Sequence, residues 1–133
     1  FFAHCSGSFL RFYSFSYIFC ILYFATAYLL NIAFSNLIEN NCKYSANHSS
    51  MVQISFRDKW SVVRMSDNGF GMSEQDKENL FTLFYRGAKE KAVEGHGIGM
   101  TLAHKIVSMH GGHIAVNSEQ GKGTIFVVEL PHV

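Results

Sequence analysis

Two glycine-rich stretches set the strongest limits on how this chain folds, because each lies at the junction between regular elements. Residues 67–71 (DNGFG) directly follow residues 60–66, a strand-like run. Residues 95–99 (GHGIG) directly precede residues 100–110, where apolar side chains recur at helical spacing before two glycines. The sequence therefore predicts a strand that ends in a tight loop and a helix that begins in another.

The remaining pattern indicates helices and strands in one domain of 133 residues. Residues 51–57 and 60–66 read as two strands, and Ser73 is a good cap for a short helix with Glu74 and Asp76 in its first turn. Near the end, residues 113–118 and 124–130 alternate as strands of a hairpin, with Gly-Lys-Gly between them.

The two glycine loops have the chemistry of a ligand site, although Asp-Asn-Gly taken alone also fits a surface turn. Asp67 places a carboxylate at a strand end, and Gly69 and Gly71 let the backbone approach a flat ligand such as adenine without a Cβ in the way. The second loop opens a helix, whose free amides and dipole attract phosphate. A dinucleotide-binding fingerprint is excluded, because the charged residues 86–94 stand where it needs a strand.

A polar helix face supplies candidates for binding metal and phosphate. Residues 36–45 (NLIENNCKYS) read as the end of a helix that begins near Thr26, with Asn36, Asn40 and Lys43 on one face. An amide oxygen suits Mg²⁺, which takes few protein ligands and keeps phosphate oxygens and waters as the rest. A solvated helix face has the same pattern, and only the glycine loops favour the ligand site.

Five motifs in this order resemble the ATP-binding catalytic domain of sensor histidine kinases, within the ATPase superfamily shared with gyrase, the MutL repair proteins and a heat-shock chaperone family. They are the N box (residues 36–45), the first glycine box (67–71), the F box (81–87), the second glycine box (95–99) and a terminal glycine-threonine motif (121–124). The resemblance covers about residues 29–131. It implies an α+β fold, a two-layer α/β sandwich of the Bergerat type with helices on one face of a mixed sheet.

The resemblance also implies ATP and Mg²⁺ as cofactors and assigns a role to each matching residue. Asn40 is the expected Mg²⁺ ligand, Asn36 and Lys43 contact phosphate or its water shell, and Tyr44 lies beside the nucleotide. Asp67 accepts a hydrogen bond from the adenine amino group, Gly69 and Gly71 flank the base, and Thr124 supports it. Gly97, Ile98 and Gly99 face the phosphates, Arg86 stabilises charge during transfer, and residues 87–96 form a lid. The expected catalytic residues are Asn36, Lys43 and Arg86.

One position separates phosphoryl transfer from hydrolysis. The resemblance implies that hydrolytic members have a glutamate one helical turn before the magnesium asparagine, where this chain has Asn36. An amide cannot act as a general base, whereas transfer needs chiefly positioning and charge neutralisation. Glu39 is expected to point about 100° away from Asn40, toward solvent. The expected function is therefore a protein-histidine kinase.

The phosphate acceptor is expected to be a histidine on a separate helical dimerisation domain, followed by an acidic residue. None of the seven histidines in the chain precedes Asp or Glu. The chain is therefore interpreted as the catalytic half of a homodimeric parent that serves a response regulator. The alternative is a nucleotide-binding interaction module that is catalytically silent. A net charge of +1 gives no case for nucleic acid, and three cysteines without a pairing pattern indicate a reducing compartment.

The start of the chain is anomalous, because residues 1–38 carry no acidic residue and only Arg11 as a formal charge. A membrane span would bury the polar face needed for ATP, and a signal peptide would send an ATP domain where ATP is absent. We favour an atypical, truncated or non-native lead-in over residues 1–25 and a cytoplasmic catalytic domain over residues 26–133. Any membrane contact would then come through the N-terminal part. Without the strand that the family normally has there, the domain is expected to be less stable and to expose aromatic surface.

Overall fold

The computed structural model describes residues 9–87 and 97–132, with side chains from Cys20 onward. The helices are α1 (Phe9–Tyr44), α2 (Glu74–Asn79) and α3 (Gly99–Met109). The strands are β1 (Met51–Arg57), β2 (Trp60–Ser66), β3 (His113–Glu119) and β4 (Gly123–Pro131). The first two strands begin and end at the predicted residues, and the predicted terminal hairpin is confirmed.

The four strands form one sheet in the order β1-β2-β4-β3, and every neighbouring pair is antiparallel. The sheet of the described residues is thus antiparallel, where a mixed sheet was expected. Strands β2 and β3 do run in the same direction, because both are antiparallel to β4. Since β4 lies between them, the connection through α3 never brings parallel strands side by side.

Helices α1 and α3 pack together on one face of the sheet and form a two-layer α+β fold, as predicted. Four residues of α3, namely Met100, Ala103, Ile106 and Val107, are buried against Phe126 and Val128 of β4. Leu102 and Met109 are also apolar residues of α3, but their side chains are 41% and 65% exposed. The helix ends at Met109, and the predicted glycine stop follows at Gly111, whose φ of +71° favours glycine.

Helix α1 runs for 36 residues, so the predicted start near Thr26 is wrong. The stretch contains no glycine or proline, so nothing in the backbone stops the helix between Phe9 and Tyr44. Its C-terminal half reaches the core through Ala33 and Leu37, both fully buried, whereas residues 20–28 are all exposed. By length and apolar composition, residues Cys20–Tyr44 meet the criteria for a membrane span, but a core helix or a signal sequence meets the same criteria.

Strand β1 lies at the edge of the sheet, and all seven of its residues are exposed. Val52, Ile54 and Phe56 pair with the helix-facing side of β2, but among the described residues neither α1 nor α3 covers them. Phe56 is 72% exposed. Because residues 9–19 belong to α1, they do not form the strand that the resemblance implies. The expected exposure of aromatic surface is therefore found at this edge.

Candidate functional site

Two adjoining cavities lie along the C-terminal half of α1. The first has a volume of about 380 Å³, and the second about 360 Å³. The two cavities share five lining residues, which we call the waist: Asn40, Tyr44, Asp76, Tyr85 and Arg86. Because they share this lining, the two cavities form one elongated cleft with two ends.

The first cavity lies between one face of α1 and the beginning of α3. Helix α1 contributes Asn36, Asn40 and Lys43, at the four- and three-residue steps seen in the sequence. The start of α3 contributes Gly97, Ile98 and Gly99. Amide groups at the N-terminus of a helix have no partner within the helix and favour anions. This end of the cleft therefore has the composition of a phosphate site.

The three polar residues of α1 differ in how they are held. The Asn36 Nδ2 group donates to the Ile32 carbonyl at 2.8 Å, and its Oδ1 lies against Gly99, where a Cβ would collide with it. Within residues 9–87 and 97–132, Asn40 and Lys43 have no side-chain hydrogen bond or ion pair. Asn40 and Lys43 are thus the groups available to a metal and a phosphate.

Asp67 lies at the opposite end, in the second cavity, and its carboxylate has two unequal oxygens. Oδ1 accepts hydrogen bonds from the amides of Gly69 at 2.8 Å and Thr124 at 3.2 Å. No hydrogen bond joins Oδ2 to another group in the part of the chain that the structure describes. Burial raises the pKa of Asp67, while the two amide hydrogen bonds act to lower it. One oxygen therefore anchors the side chain and the other can accept from a ligand.

A buried hydroxyl network holds the loop after Asp67 against the terminal hairpin. Ser118 Oγ accepts from the Met72 amide at 2.9 Å and donates to the Gly123 carbonyl at 3.0 Å. It also lies 2.9 Å from Thr124 Oγ1. The Thr124 hydroxyl is thus bonded within the protein, although Thr124 lines the second cavity. The sequence did not predict a role for Ser118. The signal that could have indicated it is a polar residue at a core-facing position of β3.

The glycines of the first glycine box are needed for a different reason from the one predicted. A Cβ on Gly69 would collide with the Tyr44 carbonyl, and one on Gly71 with the Glu119 carbonyl. Gly69 is buried and lines neither cavity, whereas Gly71 lines the second. The predicted space for a flat ligand at these Cβ positions is therefore filled by protein backbone. The glycines let the loop pack against the end of α1 and the end of β3.

The waist contains two residues that the sequence did not single out as site residues, Asp76 and Tyr85. The Tyr85 hydroxyl donates to Asp76 Oδ1 at 2.9 Å. Asp76 Oδ2 accepts from the hydroxyl and amide of Ser73, which confirms the predicted cap of α2. The composition of the first turn predicted a role for Asp76 in stabilising α2, and only the folded structure brings its other oxygen to the F box.

Two further expectations concern the rim of the first cavity. Glu39 is exposed, as expected, and it also borders this cavity. Neighbours on a helix can both border a cavity that is wider than one side chain. The predicted lid at residues 87–96 lies outside the described residues except for Gly87, which is buried beside Asp76. Gly95 and His96 also lie outside them.

The chemistry of the lining fits ATP with Mg²⁺. Among the residues that the structure describes, no three His, Cys, Asp or Glu side chains are grouped as a metal site. The neutral oxygen of Asn40 at the waist is suited to a magnesium ion that takes most of its ligands from phosphate and water. Asp67 and Asn40 lie in one cleft, as a nucleotide with a metal-bound phosphate tail requires.

Comparisons with known proteins agree with this geometry. A family model described as "Histidine kinase-, DNA gyrase B-, and HSP90-like ATPase" matches residues 26–133. The chain is similar to the signal transduction histidine-protein kinase ArlS of Staphylococcus aureus strain USA300, with 33% identity over 94 residues, or 68% of this chain and 21% of ArlS. The ArlS of strain COL gives the same values.

A solved structure is also similar, that of the mycobacterial sensor histidine kinase MprB. The identity is 26% and the TM-score 0.68, over 75% of this chain and 70% of that one. The chain spans only 21% of the length of the ArlS proteins, the curated relatives that it matches.

Proposed function

The chain belongs to the histidine kinase-, DNA gyrase B- and HSP90-like ATPase family, and we propose that its cleft binds ATP with Mg²⁺ for transfer of the γ-phosphate to a protein histidine. The acceptor lies on a separate dimerisation domain of the parent protein. Residues 26–133 are the catalytic domain in this proposal. A response regulator then receives the phosphate, and the parent works as a homodimer.

One observation carries the proposal: a single cleft joins a carboxylate at one end to amides and a lysine at the other. The free Oδ2 of Asp67 accepts from the adenine amino group. Asn40, Lys43 and the backbone at Gly97–Gly99 surround the phosphates. Bound Mg²⁺ supplies charge neutralisation on the phosphate oxygens, with Asn40 as its protein ligand.

The side chain of Asn36 favours phosphoryl transfer over ATP hydrolysis. Its amide group donates to the Ile32 carbonyl and has no basic atom with which to activate water. In the proposed step, a lone pair of the acceptor imidazole attacks the γ-phosphorus, the bond from phosphorus to the β,γ-bridging oxygen breaks, and ADP leaves. The imidazole proton passes to solvent. Lys43 and Arg86 stabilise the charge that develops on the phosphate oxygens.

An exposed apolar patch beside the first cavity is a candidate docking surface for the acceptor domain. Leu83, Phe84, Ile98 and Leu102 are 51%, 67%, 42% and 41% exposed. The Phe84 amide donates to the Gly97 carbonyl at 2.9 Å, and the Leu102 amide donates to the Ile98 carbonyl at 2.9 Å, so these residues are neighbours. We propose that this apolar patch receives the helical acceptor domain, in the cytoplasm, with any membrane attachment made by the N-terminal part of the parent.

A catalytically silent nucleotide-binding module is the second candidate, and the open edge of β1 favours it.

The experiment that separates the two candidates is to titrate the purified chain with ATP in the presence and absence of Mg²⁺, and then to add the parent's histidine-bearing domain with labelled ATP. Acid-labile, alkali-stable phosphate on that domain supports the kinase, and an acceptor with its histidine replaced by glutamine is the control. Binding without transfer supports the silent module. Absence of ATP binding refutes both.

A further inference from the structure

We propose that Asp76 is a positioning residue of the nucleotide cleft, which holds the F box through the Tyr85 hydroxyl and so sets Arg86 beside the phosphates. This inference rests on the proposed ATP site. It assigns a role to a carboxylate that touches neither adenine nor metal in the site described above.

The two oxygens of Asp76 connect two different segments. Oδ2 accepts from the Ser73 hydroxyl at 2.7 Å and from the Ser73 amide at 3.2 Å, which fixes the carboxylate to the start of α2. Oδ1 accepts from the Tyr85 hydroxyl at 2.9 Å, nine residues further along the chain. One side chain therefore ties the F box to the cap of α2.

The backbone of the F box is in an unfavourable conformation just before Tyr85. Phe84 has a φ of +62°, a left-handed conformation that a bulky residue rarely adopts. Its amide donates to the Gly97 carbonyl at 2.9 Å, and the Tyr85 amide donates to the Thr82 carbonyl at 3.1 Å. Such a conformation persists only where surrounding contacts hold it. The hydrogen bond from Tyr85 to Asp76 is one of these contacts.

The position of the bond in the cleft gives it a functional consequence. Asp76, Tyr85 and Arg86 all line both cavities, at the waist between the base end and the phosphate end. Arg86 follows Tyr85 directly, so a shift of the backbone at Tyr85 also moves the Arg86 guanidinium group. Asp67 belongs to a separate loop and depends on Gly69 and Thr124 instead. Loosening the F box should therefore weaken binding of the phosphates more than binding of the base.

The test compares the affinity of the whole chain for Mg-ATP with its affinity for AMP, which lacks the β- and γ-phosphates. Tyr85→Phe removes only the hydroxyl, and we expect it to lower the ATP affinity about fivefold or more, as for loss of part of a hydrogen bond to a charged group. The AMP affinity should stay within about twofold. Tyr23→Phe, which removes a hydroxyl from an exposed tyrosine of α1, is the matched control and should change neither.

A double-mutant cycle separates positioning from general damage. Asp76→Asn weakens the same hydrogen bond, so the double variant should have the same ratio of ATP to AMP affinity as Tyr85→Phe alone. An unchanged ratio in Tyr85→Phe overturns the inference. So do equal losses for ATP and AMP, or effects of the two substitutions that multiply. If the wild-type chain does not bind ATP, the proposed function fails instead.

Discussion

Replacing Asp67 by Asn is expected to change ligand binding while leaving the fold intact. Asparagine has nearly the same shape, and its carbonyl oxygen can keep both hydrogen bonds that Asp67 Oδ1 accepts, from Gly69 and from Thr124. The second oxygen becomes an NH₂ group. That group donates hydrogen bonds, and so does the adenine amino group, so the variant sets two donors against each other.

The expected loss of affinity follows from the one bond that changes. A hydrogen bond to a charged group contributes about 1.5–3 kcal/mol, and about 1.4 kcal/mol corresponds to a factor of ten in affinity. We therefore expect the dissociation constant for ATP to rise by about 10- to 150-fold. GTP presents a carbonyl oxygen in place of the amino group, so the NH₂ of the variant can donate to it. Asp67→Asn should therefore reduce the preference for ATP over GTP.

The stability of the ligand-free chain should change in the opposite direction, as the pKa of Asp67 indicates. Burial raises this pKa, so the folded state binds the proton more tightly than the unfolded state does. The contribution of this group to the free energy of unfolding therefore grows as the pH falls through its folded pKa, and it is least favourable above that pKa. At pH 7 a neutral amide avoids burying the charge. Asp67→Asn should be at least as stable as the wild type at pH 7, and the difference should shrink in acid.

Isothermal titration with ATP and GTP, with denaturant unfolding of the ligand-free chain, measures both effects. Asp67→Ala is the comparison, because it also deletes the oxygen that the two backbone amides need. It should lose stability as well as affinity, by about 1–3 kcal/mol for groups left unpaired. An Asp67→Asn chain that binds ATP as tightly as the wild type would refute the adenine role of Asp67.

Three other substitutions test separate parts of the fold and the cleft. Asn40→Ala should abolish the gain in ATP affinity that Mg²⁺ gives, and identical titrations of wild type and variant with and without Mg²⁺ would exclude Asn40 as the ligand. Asn41 is fully buried, and its Oδ1 has no hydrogen-bond partner among residues 9–87 and 97–132. Asn41→Ala should therefore raise the free energy of unfolding by about 1 kcal/mol despite losing the 3.3 Å contact with Ser50, and a loss in urea unfolding would contradict this. Phe56→Thr should reduce self-association, as measured by light scattering, because it removes the most exposed apolar side chain of edge strand β1; unchanged scattering would locate association elsewhere.

The features that the sequence predicted well depend on short-range patterns. Strands β1 and β2, the terminal hairpin and the cap at Ser73 each follow from residues within a few positions of one another. The common face of Asn36, Asn40 and Lys43 is likewise a property of one helix. Periodicity and capping act locally, so they can be read without knowing what packs against the element.

The features that were missed depend on contacts between distant segments. The antiparallel sheet results from β4 inserting between β2 and β3, and strand directions alone do not contain that order. Leu102 is exposed although it has the apolar character of a core residue, because no other element packs over it among the described residues. In the sequence, Asp76 is recognisable only as a first-turn residue of α2. It becomes part of the cleft when the F box folds back and Tyr85 bonds to it.

The first glycine box joins these two kinds of information, because its local pattern was recognised and its physical reason was not. Gly69 has no Cβ because the Tyr44 carbonyl, at the end of α1, lies where that atom would be. The same glycine gives its amide to Asp67 Oδ1. The carboxylate of the second cavity is therefore placed by close backbone packing against the helix that carries Asn40 and Lys43. Because this contact fixes the loop of Asp67 to the end of α1, the protein itself sets the distance between the two ends of the cleft, which reduces the ordering that ligand binding would require.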